Sequence, residues 1–206
     1  MYSKEESLET LQDIKKMMER SSRFISLSGW SGIAAGICAL GGIWVINLII
    51  DSEGARQDEF SRTRLITELL IAGGVIFIAA CALAFLFTYL RSKKTGVPLW
   101  GMTAKRLLFN LMVPMLVGGI VILRLIITYH FFLVWPLCLV FYGLALFSAS
   151  KYTLTEIRYL GYAELVLGLI NFWDYENGVF YWGAGFGVFH IIYGIMMWWK
   201  YERGKS

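Results

Sequence analysis

Charge is what this chain has least of. Only 17% of its 206 residues are Asp, Glu, Lys or Arg, against 57% hydrophobic, whereas a soluble domain carries about a quarter charged. The few charges are also spaced so as to leave apolar blocks of about 20 residues, the length a helix needs to cross the hydrocarbon layer. Such blocks exclude a water-soluble globule and make lipid the solvent. Histidine is scarce too: His130 and His190 are the two in the chain. They lie at different depths, so they are poorly placed to hold one haem iron between them. The three cysteines, Cys38, Cys81 and Cys138, all fall inside apolar blocks, with no CxxC and no Cys/His pairing at metal spacing. They read as small core hydrophobes. HExxH, GxSxG, Walker and dinucleotide fingerprints are missing. No metal, no cofactor and no catalytic residue is expected. The first 23 residues are polar and lack the apolar core and cleavage site of a signal peptide. The net charge of +4 is explained by basic loops that hold cytoplasmic ends, so nucleic acid is not an expected partner.

What is present is a series of long apolar segments. They predict an all-α polytopic membrane protein, a six-helix bundle with spans near 24–50, 65–90, 107–128, 131–149, 157–173 and 179–199. Residues 4–22 predict an amphipathic helix, with Leu8, Leu11, Ile14 and Met18 at helical spacing among charges. The organisation expected is therefore a cytoplasmic amphipathic helix over 1–23, a transmembrane domain over 24–199 and a cytoplasmic tail over 200–206. Pro114 and Pro136 fall inside spans three and four, where each would free the carbonyl four residues earlier, Asn110 and Phe132. Trp44, Trp100, Trp135, Trp173, Trp182, Trp198 and Trp199 fall near the predicted helix ends, as interfacial anchors do.

The segment Met18-Glu19-Arg20-Ser21-Ser22-Arg23-Phe24-Ile25-Ser26-Leu27-Ser28-Gly29 runs directly into Gly32 and Gly36. It resembles the start of a group of small six-span inner-membrane proteins of Bacteroidota for which no activity is established. Genes of that group often neighbour winged-helix transcription regulators. The resemblance implies a bacterial inner-membrane protein in a regulatory circuit and assigns no residue a role.

Ionisable groups inside a membrane are costly, so each needs a reason. Glu164 lies in mid-span five on a stripe with Gly161, Gly168 and Asn171; His190 lies in mid-span six on a stripe with Gly183, Gly187 and Gly194. The helical spacing puts each set on one face. Their depths from the outer end are roughly 14 and 16 Å at 1.5 Å per residue, and the turn between the spans is short. Glu164 and His190, with Asn171 nearby, are thus expected to meet at mid-membrane within a hydrogen bond or one water of each other, carrying little net charge or sharing one proton. Two readings stay open: a Glu–His contact that locks two helices, or a protonation-linked site for a ligand. Glu68 and Arg124, at matching depths in spans two and three, are a candidate structural ion pair. Gly29, Gly32, Gly36 and Ala39 in span one repeat the spacing of the span-five stripe, by small-residue packing or by an old duplication.

The leading functional expectation is a non-enzymatic regulatory or interaction component. Its partners would be the bilayer and either a second copy or a membrane or cytoplasmic protein. The alternative is a small transporter or a ligand or proton sensor built on Glu164 and His190. Orientation is read from basic residues. With the N-terminus inside, 15 of the 19 Lys and Arg lie on the cytoplasmic side and four, Arg56, Arg62, Arg64 and Arg124, outside, which predicts both termini inside. Single cysteines placed in residues 51–64 or 174–178 should react with a membrane-impermeant maleimide from outside. External labelling within residues 91–106 would overturn this topology.

Overall fold

The computed structural model describes Phe24 and residues 27–53, 59–96 and 99–203. The amphipathic helix expected over 4–22 and the end of the tail lie outside these. Six helices carry the described chain: α1 (Gly29–Glu53), α2 (Glu59–Thr95), α3 (Met102–Ile127), α4 (Val134–Ala149), α5 (Glu156–Trp173) and α6, which runs on from Gly178 to Tyr201. The fold is an all-α bundle. Five of the helices are long and apolar enough to cross a membrane. The exception is α5, whose 18 residues include Glu156, Arg158 and Glu164. It is kept in the bundle by close packing on α4: a side chain at Gly143 would meet the carbonyl of Gly161, and one at Gly168 would meet the carbonyl of Pro136.

Three features of the sequence shape the bundle. First, α6 changes winding twice. It is α-helical over Gly178–Trp182, π-helical over Gly183–Phe189 and α-helical again over His190–Tyr201. The π segment coincides with the run Gly183-Ala184-Gly185-Phe186-Gly187, whose glycines hold the backbone to the α form least strongly. Second, Pro136 stands at the start of its helix and not in its interior. It occupies the third residue of α4, within the first turn, where its missing N–H has no intrahelical partner to lose. Pro114 is inside α3 as expected. Third, α2 packs on α1 and α3 packs on α4, but α2 and α3 barely touch. Their outward faces are apolar, with Ile78 68% and Ile120 70% exposed, as lipid contact requires.

One end of the bundle is tied by polar contacts. Glu202, after α6, accepts from the backbone N–H of Gly29 at 2.6 Å and from Ser28 Oγ at 3.2 Å. A carboxylate suits the positive N-terminus of α1. Arg91 of α2 donates to the same carboxylate at 2.9 Å and to the carbonyl of Leu27. Ahead of α1, Phe24 pairs with the α4–α5 connection: its N–H donates to Tyr152 O, and its carbonyl accepts from Thr153 Oγ1, both at 2.7 Å. Lys200 of α6 pairs with Glu156 of α5. These contacts hold that end of α1, α2, α5 and α6 together, while α2 and α3 splay apart in the bundle.

The α1–α6 seam is a backbone-to-backbone approach. A Cβ on Gly194 would lie 2.5 Å from the carbonyl of Gly29 and 2.6 Å from the N of Ile33, whereas one on Gly41 would meet nothing within 4 Å. Gly194→Val must therefore push two helices apart and should cost about 1–3 kcal/mol, the overpacking range. Gly41→Val should stay within about 0.5 kcal/mol, as surface changes do. Melting of the purified protein in detergent measures both, and equal losses would refute the seam.

Candidate functional site

The glycine stripes do not face each other as the sequence suggested. Gly161 and Gly168 of α5 pack on α4, while Gly187 and Gly194 of α6 pack on α1, where Gly29, Gly32 and Gly36 receive them; Gly183 meets Ile43 of α1. A stripe of small residues states that a helix is approached closely, and does not name the helix that approaches. Each stripe was satisfied by a different neighbour.

Glu164 and His190 nevertheless come together. Glu164 is fully buried and His190 is 5% exposed, with Glu164 Oε1 3.5 Å from His190 Nδ1. The residue that makes this possible is Gly185. A Cβ there would stand 2.4 Å from Glu164 Oε2 and 2.5 Å from Leu139 Cδ2, so the carboxyl group lies where any other side chain would be. Gly185 belongs to the π segment, and its carbonyl accepts from His190 Nδ1 at 3.0 Å. The i→i+5 winding shifts the residues beyond it around the helix relative to an α-helical count. It lets Gly187 face α1 while the His190 side chain reaches α4 and α5.

The other imidazole nitrogen, Nε2, is 2.7 Å from the hydroxyl of Tyr142 on α4. Three helices thus contribute one polar group each: Glu164 from α5, His190 from α6 and Tyr142 from α4. Phe186 packs against this line, its ring 4.9 Å from that of Tyr142 and stacked on that of His190 at 6.0 Å. Asn171 is as deeply buried as Glu164 but stands two helical turns further along α5, and neither of its amide atoms has a hydrogen-bond partner among the described residues. It shares the face of Glu164 without joining its contacts.

The Glu68–Arg124 pair is not formed. Glu68 accepts from Arg64 Nε at 2.9 Å, one turn earlier on the same helix, and Arg124 is exposed. An i,i+4 partner is always within reach on a helix, and the separation of α2 from α3 removes the alternative. His130 bonds Thr128 beside it, at 3.0 Å and far from the site. Among the described residues, no three His, Cys, Asp or Glu side chains gather as metal ligands would, and all three cysteines are free.

The space between α2 and α3 is a cleft of about 960 Å³, floored by α1, α4 and α6. That volume is at the upper end of small-molecule sites, roughly 300–1,000 Å³. Its wall is apolar and, among the described residues, includes no Asp, Glu, Lys or Arg; Tyr142, Phe186 and His190 line it, and Glu164 lies behind His190 at 3.5 Å. Gly73 and Gly74 of α2 and Gly119 of α3 also line it, each with open space where a side chain would be. Tyr142 and Gly185 had no place in the sequence reading. A tyrosine in mid-span was a usable signal; the slot at Gly185 depends on the π winding and was not.

Comparison of the chain with known protein-family models, with curated proteins and with solved structures finds no match.

Gly185→Ala should destabilise the protein by about 1–3 kcal/mol, because the new methyl group displaces a buried carboxyl. Glu164→Ala in the same chain should recover part of that loss, giving a coupling of about 0.5–3 kcal/mol between the sites. Melting the two single variants and the double variant measures it. Additive losses would mean that Glu164 does not occupy the slot.

Proposed function

We propose that this chain is a membrane-embedded binding protein that takes an apolar, membrane-soluble ligand into the α2–α3 cleft and reads it through Tyr142, His190 and Glu164. The observation that carries this reading is the wall of the cleft. A large apolar space ends on an imidazole–phenol pair backed by a buried carboxyl group. Apolar pockets with a few convergent polar groups are the usual form of small-molecule sites, and ionisable groups inside a membrane mark sites by default. A purely structural Glu–His contact needs no such cleft beside it.

Several features support a sensing role over catalysis. The cleft wall has no nucleophile paired with a base in an oxyanion-binding setting, and the described extramembrane segments are short. The resemblance of residues 18–36 to a regulator-linked group of bacterial inner-membrane proteins agrees with this. The excess of Lys and Arg on one side supports an orientation with both termini in the cytoplasm. In that frame the tied end of the bundle, with Arg91, Lys200 and Glu202, faces the cytoplasm, where a change in α2 would be felt by a partner protein.

Filling the cleft tests the reading. Gly73→Leu with Gly119→Leu puts two side chains into space that no other described residue occupies. The wild type released from membranes in mild detergent should retain a bound apolar molecule in native mass spectrometry. The double variant should lose it while melting at an equal or higher temperature. The same bound mass on both proteins would overturn the assignment.

A further inference from the structure

The hydrogen bonds at the cleft wall have a direction, and that direction selects the ligand. The carbonyl of Gly185 can only accept, so the His190 Nδ1 that lies 3.0 Å from it carries the hydrogen. That hydrogen is committed to the carbonyl, since Glu164 Oε1 stands further off at 3.5 Å, beyond a normal hydrogen bond. A charged imidazolium there, 5% exposed and with no anion in hydrogen-bond contact, would be a buried unpaired charge, which is costly. The imidazole is therefore neutral, with its proton on Nδ1 and a lone pair on Nε2. Tyr142, 2.7 Å from Nε2, is the donor in that bond. Its hydroxyl hydrogen is spent on His190, and its oxygen can only accept.

From this we infer that the cleft binds a neutral membrane alcohol, a long or polycyclic apolar body ending in a hydroxyl group that donates to Tyr142 Oη. The inference rests on the binding function proposed above and names its ligand class. A phosphate, carboxylate or ammonium head is disfavoured because no charged side chain lines the cleft, and an unpaired charge in so apolar a place is costly. A head that only accepts, such as a ketone, ether or ester, faces an oxygen that has nothing left to give. The bare backbone at Gly73, Gly74 and Gly119 leaves the width that the apolar body needs between α2 and α3.

Three probes with one chain length separate the possibilities: 1-hexadecanol, hexadecyl methyl ether and palmitate. Binding is measured with the tritiated compounds by scintillation proximity, on the full chain reconstituted in phosphatidylcholine nanodiscs. Hexadecanol should bind about tenfold more tightly than the ether, the difference one well-placed hydrogen bond makes, and palmitate should bind no better than the ether. Tyr142→Phe combined with His190→Phe, which also removes the Nε2 lone pair that the alcohol could otherwise use, should bring the alcohol down to the ether and leave the ether unchanged, with the melting temperature of the variant confirming its fold. If alcohol and ether bind equally well to the wild type, or if the double variant keeps the preference, the donor assignment is overturned while the cleft remains a binding site. Tighter binding of palmitate overturns the neutral head group. If none of the three binds and the cleft-filling variant changes no bound mass, the binding function itself fails.

Discussion

A carboxyl group in the middle of a membrane helix has to be shielded from lipid on every side, and the arrangement of α4, α5 and α6 follows from how Glu164 is shielded. The residue has no exposed surface. Glu164 Oε2 and Leu139 of α4 both reach the space beside Gly185 of α6 that any side chain on residue 185 would fill. The three helices approach because glycine lets them: Gly143 against Gly161 on the α4–α5 side, Gly185 beneath the carboxyl itself. With the helices so placed, His190 Nδ1 stands 3.5 Å from Glu164 Oε1 and its Nε2 2.7 Å from the hydroxyl of Tyr142.

The bundle divides at the cleft. One half is α1, α2 and α6, locked along the Gly29–Gly194 approach and capped by Glu202 and Arg91. The other is α3, α4 and α5. They part between α2 and α3, where the cleft opens, and they join along α6, through Gly178 against Trp135, the π segment around Gly185, and Lys200 with Glu156. The polar line crosses that joint, since His190 belongs to the first half and Glu164 and Tyr142 to the second. Anything that moves α2 relative to α3 bears on the joint, and anything that alters the His190–Tyr142 bond bears on how the halves meet. The cleft and the polar line are thus two aspects of one boundary.

Much of this was legible in the chain and some was not, for reasons that particular residues make plain. The helices were legible because apolar runs of membrane-spanning length have few other uses. The meeting of Glu164 and His190 was legible as depth: a short turn and similar distances from it place two side chains at one level whatever faces they occupy. The partners of the glycine stripes were not legible, because Gly168 and Gly187 carry the same signal for any neighbouring helix. Gly185 was hidden by the assumption of α spacing, which a run of three glycines at alternate positions was free to break. The Arg64–Glu68 contact was present in the sequence as a spacing of four, and matching depth across helices was the weaker guide.

The π segment is the part of this architecture that demands the most and yields the most. A winding that is rarely adopted for more than a turn extends here over Gly183–Phe189, and glycine adds its own cost of about 1 kcal/mol at each helix-interior position. Relaxed to α spacing, the segment would turn His190 away from Tyr142 or carry Gly187 out of its place against α1, where a Cβ on Gly36 would stand 2.6 Å from its carbonyl. The seam with α1 and the polar line with α4 and α5 therefore cannot both be kept by an α-helix. The protein keeps both, and what it gains over a plain helical seam is the imidazole set at the wall of the cleft. A fold stabilised for packing alone would have given up that imidazole and kept the seam, so the π winding is what holds His190 against Tyr142 and Glu164.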